Sequence, residues 1–345
     1  MTPIIWTVMI TSLSTSTIIT AMSHHWMLAW LGLELNSLSV LPIIMKSHHP
    51  RATEATTKYF LIQATGAALI LFASTINAWQ TGQWAIMHTP CQISSLIMVI
   101  ALALKLGAAP MHAWYPEVMQ GCTMTTALIM STWQKIAPLT LLYMMMNTQQ
   151  NTPLLMLGLI SALLGGWMGL NQTQTRKLMA FSSIAHLGWL LTALTLNPTI
   201  TTLTFVTYII MTSAMFTMLH ITTTKTLTDT TTLWSNTPIM MTTMMMILMT
   251  LAGLPPLTGF MPKWLILQEL VTLHTTALAL TLTLATLPSL FFYTRMAYLT
   301  TMTTPPNTAA TTTKWRFNTT KPSLLTPMIT SATMLLPLTP MLISL

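Results

Sequence analysis

Long apolar stretches follow one another along this chain with almost no charge to interrupt them. Only 13 lysines and arginines and 5 aspartates and glutamates occur among 345 residues. Charged residues are 5% of the total, against about 25% in a soluble domain. A helix of about 20 apolar residues crosses a bilayer. The chain is therefore expected to be an all-α polytopic membrane protein. Eleven crossings are predicted, at 3–21, 25–45, 57–79, 93–117, 123–146, 153–171, 177–196, 200–221, 237–273, 275–299 and 324–344. The ninth is too long for one straight crossing. It contains Gly253-Leu-Pro-Pro-Leu-Thr-Gly-Phe-Met-Pro262, which predicts two half-helices joined by unwound backbone. Such backbone is tolerated at membrane depth only when it is buried in protein or lines a wet cavity.

The loops carry the charge unevenly. Lys46, Arg51 and Glu54 lie in 46–56, Arg176 and Lys177 near 172–177, Lys225 and Asp229 in 222–236, and Lys314, Arg316 and Lys321 in 300–323. The loops near 22–24, 80–92, 147–152 and 197–199 have no formal charge. Charged and uncharged loops alternate, as eleven crossings require. The positive-inside pattern then puts the N-terminus on the charge-rich side and the C-terminus on the other. The net charge of +8 is spread over short loops, not gathered into a basic patch with interleaved aromatics, so no nucleic acid is expected. Cys91 and Cys122 have no CxxC spacing and form no disulfide framework. The first 21 residues lack the basic region and cleavage site of a secretory signal, so insertion of the chain as it is made is expected. The many threonines are poor helix formers in water, but in a membrane helix the hydroxyl can bond back to the carbonyl of residue i−4. The 32 methionines are read as compositional drift, not as a metal site.

Four charges fall inside the apolar stretches: Glu34, Lys105, Lys135 and Lys263. A charge at the bilayer centre costs roughly 2.5–3.5 kcal/mol on insertion scales, and charges kept there mark ion or proton paths. Glu34 must face other helices, either as a proton carrier or as a carboxylate tying two helices together through a lysine. Lys105 stands just before Pro110, whose missing N–H frees the carbonyl of Leu106. Pro138 does the same for Gln134 beside Lys135. Lys263 follows Pro262 at the start of a half-helix, where the dipole is positive, so it is expected to differ from Lys105 in how readily it releases a proton. His112 and His186 are candidate relays, or histidines satisfied locally. Ser182 and His186, four apart on one face, suggest a His–Ser–water chain. The pairs His24-His25 and His48-His49 are expected at helix ends. GxGxxG and P-loop motifs and spaced Cys/His clusters are absent from the sequence.

The helices carrying Lys105 and Lys263 are the fourth and the ninth, five apart and both broken. Five is odd, so a repeated five-helix unit would run inverted the second time, the plan of many transporters. The chain reads as a single transmembrane domain over 1–345, with pseudo-repeats at about 1–146 and 153–299 and an appended helix at 324–344.

At four places the sequence becomes familiar. These are Lys105-Leu-Gly-Ala-Ala-Pro-Met-His-Ala-Trp-Tyr-Pro-Glu-Val, Thr132-Trp-Gln-Lys135-Ile-Ala-Pro, Gly169-Leu-Asn-Gln-Thr-Gln-Thr-Arg-Lys177-Leu-Met-Ala-Phe-Ser-Ser-Ile-Ala-His186 and Leu251-Ala-Gly-Leu-Pro-Pro-Leu-Thr-Gly-Phe-Met-Pro-Lys263-Trp. In this order they resemble the antiporter-like membrane subunits of respiratory complex I, with vertebrate mitochondrial character over essentially the whole chain. The resemblance implies a proton-pumping subunit of the NADH dehydrogenase in the mitochondrial inner membrane, with the N-terminus facing the matrix and the C-terminus the intermembrane space. It places Glu34, Lys105, Lys135 and Lys263 in the proton path. It implies that NADH, FMN, iron–sulfur clusters and ubiquinone are bound by other subunits, with no cofactor or metal in this chain. It implies membrane-arm partners, among them the antiporter-like chain 4, the small chain 4L and accessory subunits, besides lipid. Bacterial relatives begin with three further helices, so another subunit is expected to cover the flank those helices would fill. A freestanding cation/proton antiporter of the related bacterial family and a purely structural membrane subunit are the competing readings.

Overall fold

A computed structural model describes residues 3–89, 91–146, 151–233, 237–302 and 325–344. Two compact units divide it, Met1–Ser161 and Ala162–Leu345. The described residues are helical with irregular connections, and the only β-pairing among them is two isolated bridges, His25 to Ala85 and Gln174 to Thr226.

In the first unit, α1 (Pro3–Met22) packs along α2 (Trp26–Ile44), and α2 along α3 (Pro50–Thr81). The α1–α2 approach is close because Gly32 has no side chain: a Cβ there would meet Thr20 Cγ2 at 2.5 Å. Two histidines from the adjacent pairs start helices. The ring of His25 accepts the Met27 N–H at 3.2 Å, and that of His49 accepts the Arg51 N–H at 3.2 Å. With Pro50 in its first turn, where a missing N–H costs nothing, α3 begins seven residues before the expected 57. Arg51 and Glu54 thus lie on a helix, not in a loop. Next come α4 (Gln92–Leu106), α5 (Trp114–Gly121), α6 (Met124–Ser131) and α7 (Ile136–Met145). Helix α8 (Asn151–Gly169) continues into the second unit.

The second unit is built around α9 (Thr175–Leu196), whose sides are almost all covered. Glycines of α8 meet their neighbours at backbone range: a Cβ on Gly165 would lie 2.6 Å from the Ala185 nitrogen of α9. The unit also contains α10 (Pro198–Thr222), the short α11 (Leu227–Thr231), α12 (Pro238–Ala252), α13 (Phe260–Thr272), α14 (Thr276–Thr301), α15 (Leu325–Met334) and α16 (Thr339–Ser344). The loop before α11 is closed by a capping box in which Thr226 and Asp229 bond each other's backbone N–H.

Seven described helices, α1, α2, α3, α8, α9, α10 and α14, are long and apolar enough to cross a membrane. The four other expected crossings are each divided. The breaks in the fourth, at 107–113, and in the ninth, at 253–259, are the expected ones. The fifth is also interrupted, by a tight 3₁₀ turn at Trp133–Lys135, and the last by one at Leu336–Leu338. Threonine and serine hydroxyls return to the backbone as expected, but mostly to residue i−3, as Thr20 does to Thr17 at 2.8 Å. The expected i−4 bond occurs less often, as from Thr212 to Tyr208. Much of the charged 300–323 loop lies outside the described residues.

Candidate functional site

The two expected breaks end their first half-helix in the same way. Gly107 follows α4 at φ 72 and Gly253 follows α12 at φ 82, both left-handed, where a side chain would be strained. Their N–H groups turn back to the last carbonyls, Gly107 to Ala103 and Leu104, and Gly253 to Met249 and Thr250. Glycine stops each helix, and the prolines beyond keep it from restarting at once. Pro110 is therefore not the terminator expected from sequence.

In the first unit, Lys105 occupies the last turn of α4 and is 6% exposed. Its stem passes over Gly66 of α3, where a Cβ would come within 3.1 Å of Lys105 Cγ. Gln63, one turn away, donates to the Lys105 carbonyl at 3.4 Å. Lys135 ends the 3₁₀ turn, is 2% exposed and has its amine 5.6 Å from the centre of the Tyr115 ring. That distance is in cation–π range. Between the lysines, Asn36 and Gln134 exchange two hydrogen bonds of 3.1 and 3.3 Å, and the Tyr59 hydroxyl reaches Gln134 at 3.4 Å. Lys105 and Lys135 both line one cavity of about 20 Å³, with Asn36, Tyr59, Gln63 and Gln134. A water needs about 10–15 Å³ by this measure and two or more polar partners. The cavity meets both conditions.

Glu34 sits one turn from Ser37 on α2, and its carboxylate interacts through space with Lys105 and Tyr59 without a direct ion pair among the described residues. One of its oxygens, Oε2, is buried with no hydrogen-bond partner. The ion pair that does form is Lys58 with Glu117, 2.5 Å apart and half exposed, joining α3 to α5. His112 lies in the 107–113 break, 6% exposed and hydrogen-bonded to the Pro110 backbone. It is not among the residues lining the cavity.

In the second unit, Lys263 stands in the first turn of α13 but does not stay there. Its amine crosses the break and donates to the carbonyl of Ala252, the last residue of α12, at 2.9 Å. It passes so close to Gly253 that a Cβ there would meet Lys263 Nζ at 2.8 Å. The ammonium group therefore faces the negative end of α12, and the expectation built on the positive end of α13 is corrected. His186, on α9, lies 3.5 Å from the Tyr293 hydroxyl of α14 and packs its ring on Tyr208 of α10, 5.7 Å between centroids. Tyr293 also hydrogen-bonds Ser182, while the Ser182 hydroxyl donates to Met179. The expected His–Ser pair thus has a tyrosine between its members.

Sequence reasoning missed Tyr59, Gln63, Gln134 and Tyr293. The signal was present: each is a polar side chain in an apolar helix, and a buried phenol or amide needs a partner. Among the described residues, no group of three or more His, Cys, Asp or Glu side chains is placed to hold a metal ion.

Residues 23–288 match a family described as NADH:quinone oxidoreductase/Mrp antiporter membrane proteins, and residues 290–343 match the NADH dehydrogenase subunit 2 C-terminus. The chain is 51% identical to an NADH-ubiquinone oxidoreductase chain 2 of Carassius auratus, covering 100% of this chain and 99% of that one. It is 49% identical to one of Gallus gallus, covering 96% of each. In fold it is similar to a chain of respiratory complex I from Thermus thermophilus, with a TM-score of 0.80 at 23% identity over 95% of this chain and 78% of that one. It is also similar to a chain of the Mrp complex from Dietzia, with a TM-score of 0.78 at 14% identity over 87% of this chain and 61% of that one.

Proposed function

The chain belongs to the NADH:quinone oxidoreductase/Mrp antiporter membrane family, and from that membership we propose which of its residues move protons. It is an antiporter-like membrane subunit of the chain 2 type in complex I, the proton-translocating NADH:ubiquinone oxidoreductase. It does no redox chemistry itself. NADH, FMN, iron–sulfur clusters and ubiquinone are bound by other subunits, and the neighbours of this chain are other membrane-arm subunits, including chain 4 and chain 4L. Eleven crossings form two inverted five-helix repeats, about 1–146 and 153–299, with 324–344 appended. The N-terminus faces the matrix and the C-terminus the intermembrane space.

Protons pass through Glu34, Lys105, Lys135 and Lys263, with water and amide side chains between them. His186 relays in the second repeat, and His112 lies beside the path at the first break. The observation that carries this reading is the cavity shared by Lys105 and Lys135, wide enough for water and edged by Gln63, Gln134, Asn36 and Tyr59. A lysine whose charge had only a structural role would not need a water-sized polar space at a second lysine. Proton uptake and NADH oxidation, measured together in membranes with confirmed assembly, test the reading. Lys105→Met and Lys135→Met should each depress both at least tenfold. Full pumping in both variants would reduce the two lysines to structural charges.

A further inference from the structure

The second break, 253–259, is tied to a helix outside it. The Thr258 hydroxyl donates to the carbonyl of Ala332 on α15. Thr258 is 2% exposed and Ala332 0%, so the bond is shielded from water. Ala332 lies in the last turn of α15. The last four carbonyls of a helix have no N–H of their own helix to accept, and a buried one needs another donor. Threonine hydroxyls in this chain mostly return to their own helix, as that of Thr250 does to Ile247 at 2.6 Å. Thr258 gives its donor to another helix instead.

The backbone on either side of Thr258 has little room. At the start of the break, Gly253 turns back onto Met249 and Thr250. At its end, Gly259 is pressed on α12. A Cβ there would overlap the Thr250 carbonyl and come within 3.2 Å of Met211 Sδ on α10. Within the break, the Leu257 N–H donates to Leu254 at 3.0 Å, and the Phe260 N–H donates to Leu257 at 3.1 Å. These contacts join the break to itself and to the helices beside it. The Thr258 bond joins it to α15, which is itself packed on α10 and α12.

Thr258 and Lys263 do the same thing at two helix ends. Thr258 donates to the end of α15, and Lys263 donates to Ala252 at the end of α12, 2.9 Å away. Each donor meets the negative end of a helix dipole. The start of α13 is held between the two. Without the Thr258 bond, the unwound residues would regain conformational freedom. The first turn of α13, which carries Lys263, would then shift against Ala252. A displacement of about 1 Å at a reacting group can cost about a hundredfold in rate.

We infer that α15 is a clamp on the second break. The Thr258 hydroxyl, held on the Ala332 carbonyl, fixes the 253–259 backbone so that the Lys263 amine meets the Ala252 carbonyl. Thr258 is thereby a positioning residue for proton passage at Lys263, and the C-terminal segment contributes to that passage through it. The inference rests on the reading of Lys263 as a proton carrier and adds what holds it in place.

The test uses the complete complex. Thr258→Val keeps the shape of the side chain and removes the donor, whereas Thr258→Ser keeps the donor and removes the methyl group. Proton uptake and NADH oxidation are measured per assembled complex. Both should fall about threefold or more in Thr258→Val and return close to the parent in Thr258→Ser. A packing role would give the opposite order, with valine near the parent and serine impaired, and would overturn the clamp. Thr258→Ala also lacks the donor in a smaller side chain, and it must fall with valine. Lys263→Met is measured beside them. If it stops pumping while Thr258→Val matches the parent, the clamp is wrong and the role of Lys263 stands. If Lys263→Met pumps normally, the underlying reading fails. Density of the parent complex should show the Thr258 hydroxyl on the Ala332 carbonyl, and density of Thr258→Val should show the Lys263 amine displaced from Ala252. A parent break bonded elsewhere, or an undisplaced amine in the valine variant, would overturn the inference.

Discussion

The amine of Lys263 and the carbonyl of Ala252 face each other across seven residues of unwound chain, 2.9 Å apart. An end carbonyl of a helix has no N–H of its own, and a cation there meets the negative end of the dipole. Only glycine fits at 253, because the backbone is left-handed and because Lys263 lies against it. Gly253→Ala should therefore push the lysine off the carbonyl besides adding about 1 kcal/mol of backbone strain. Pumping should fall at least severalfold while the complex still assembles. A Gly253→Ala complex with parental pumping would show that this contact does not matter. Lys263→Arg tests the same residue from the other side. Arginine stays protonated in proteins, so this variant keeps the charge but should lose proton passage, with quinone reduction slowed as well. Full activity would make Lys263 a fixed charge. Lys263 stood out in the sequence as a charge inside an apolar run. Where its amine points could not be read there, because the side chain is long enough to leave its own half-helix and reach the one before.

Helix existence was legible from apolar length, and helix ends were legible where proline or glycine marked them. Gly107 and Gly253 stop α4 and α12 close to where the sequence suggested. The start of α3 was misread although its signals were there. His49 and Pro50 form a good helix start, but the charges of Arg51 and Glu54 made the segment look like loop. The 3₁₀ turn at Lys135 had a weaker sign. Pro138 removes the N–H that would have bonded Gln134, and the strain is taken up one turn earlier. The cavity could not be read at all, since it forms from residues on α2, α3, α4, α5, α6 and α7 and the turn at Trp133–Lys135. Two predictions belong at this scale. In the second unit, Gly165→Ala would place a methyl 2.6 Å from the Ala185 nitrogen. Backbone cannot yield as a flexible side chain can, so α8 must draw away from α9, at a cost of about 1–3 kcal/mol. Thermal stability of the complex should fall, and an unchanged melting temperature would refute the packing argument. The short helix α11 is held by Asp229, whose carboxylate accepts the N–H groups of Lys225 and Thr226 at 3.0 and 2.8 Å. Those bonds favour the charged form and hold this carboxyl below its usual range. Their contribution is complete above the ordinary aspartate value of about 3.9. It is lost as the pH falls through the lowered value. Hydrogen exchange at 226–231 should therefore stay protected through mildly acidic pH, and Asp229→Asn should remove that protection at neutral pH.

At the scale of the whole molecule, charge decides which way the chain enters the membrane. Lysine and arginine are retained on the cytoplasmic or matrix side because moving them across is costly, and short loops obey this rule best. The turn at Met45–His49 and the 222–236 loop carry such charges, and the 82–89 loop carries none. An odd number of crossings separates the first from the third, and an even number separates the first from the second, if each divided helix counts as one crossing. That condition makes sidedness a test of the divided helices. If α4 and α5 with the 107–113 break cross once, and α6 and α7 with the Lys135 turn cross once, the 222–236 loop must share a face with Lys46. If either broken pair instead returned to the side it came from, the loop would change faces. A membrane-impermeant amine reagent, applied to mitochondria stripped of their outer membrane, should leave Lys46 and Lys225 unlabelled and should label both once the inner membrane is inverted. A protease site placed in the 82–89 loop should be cut only in the first preparation. Opposite labelling of Lys46 and Lys225 would mean that one divided helix is re-entrant. Lys105 or Lys135 would then lie on a hairpin open to one side, and a continuous proton path through both would have to be abandoned.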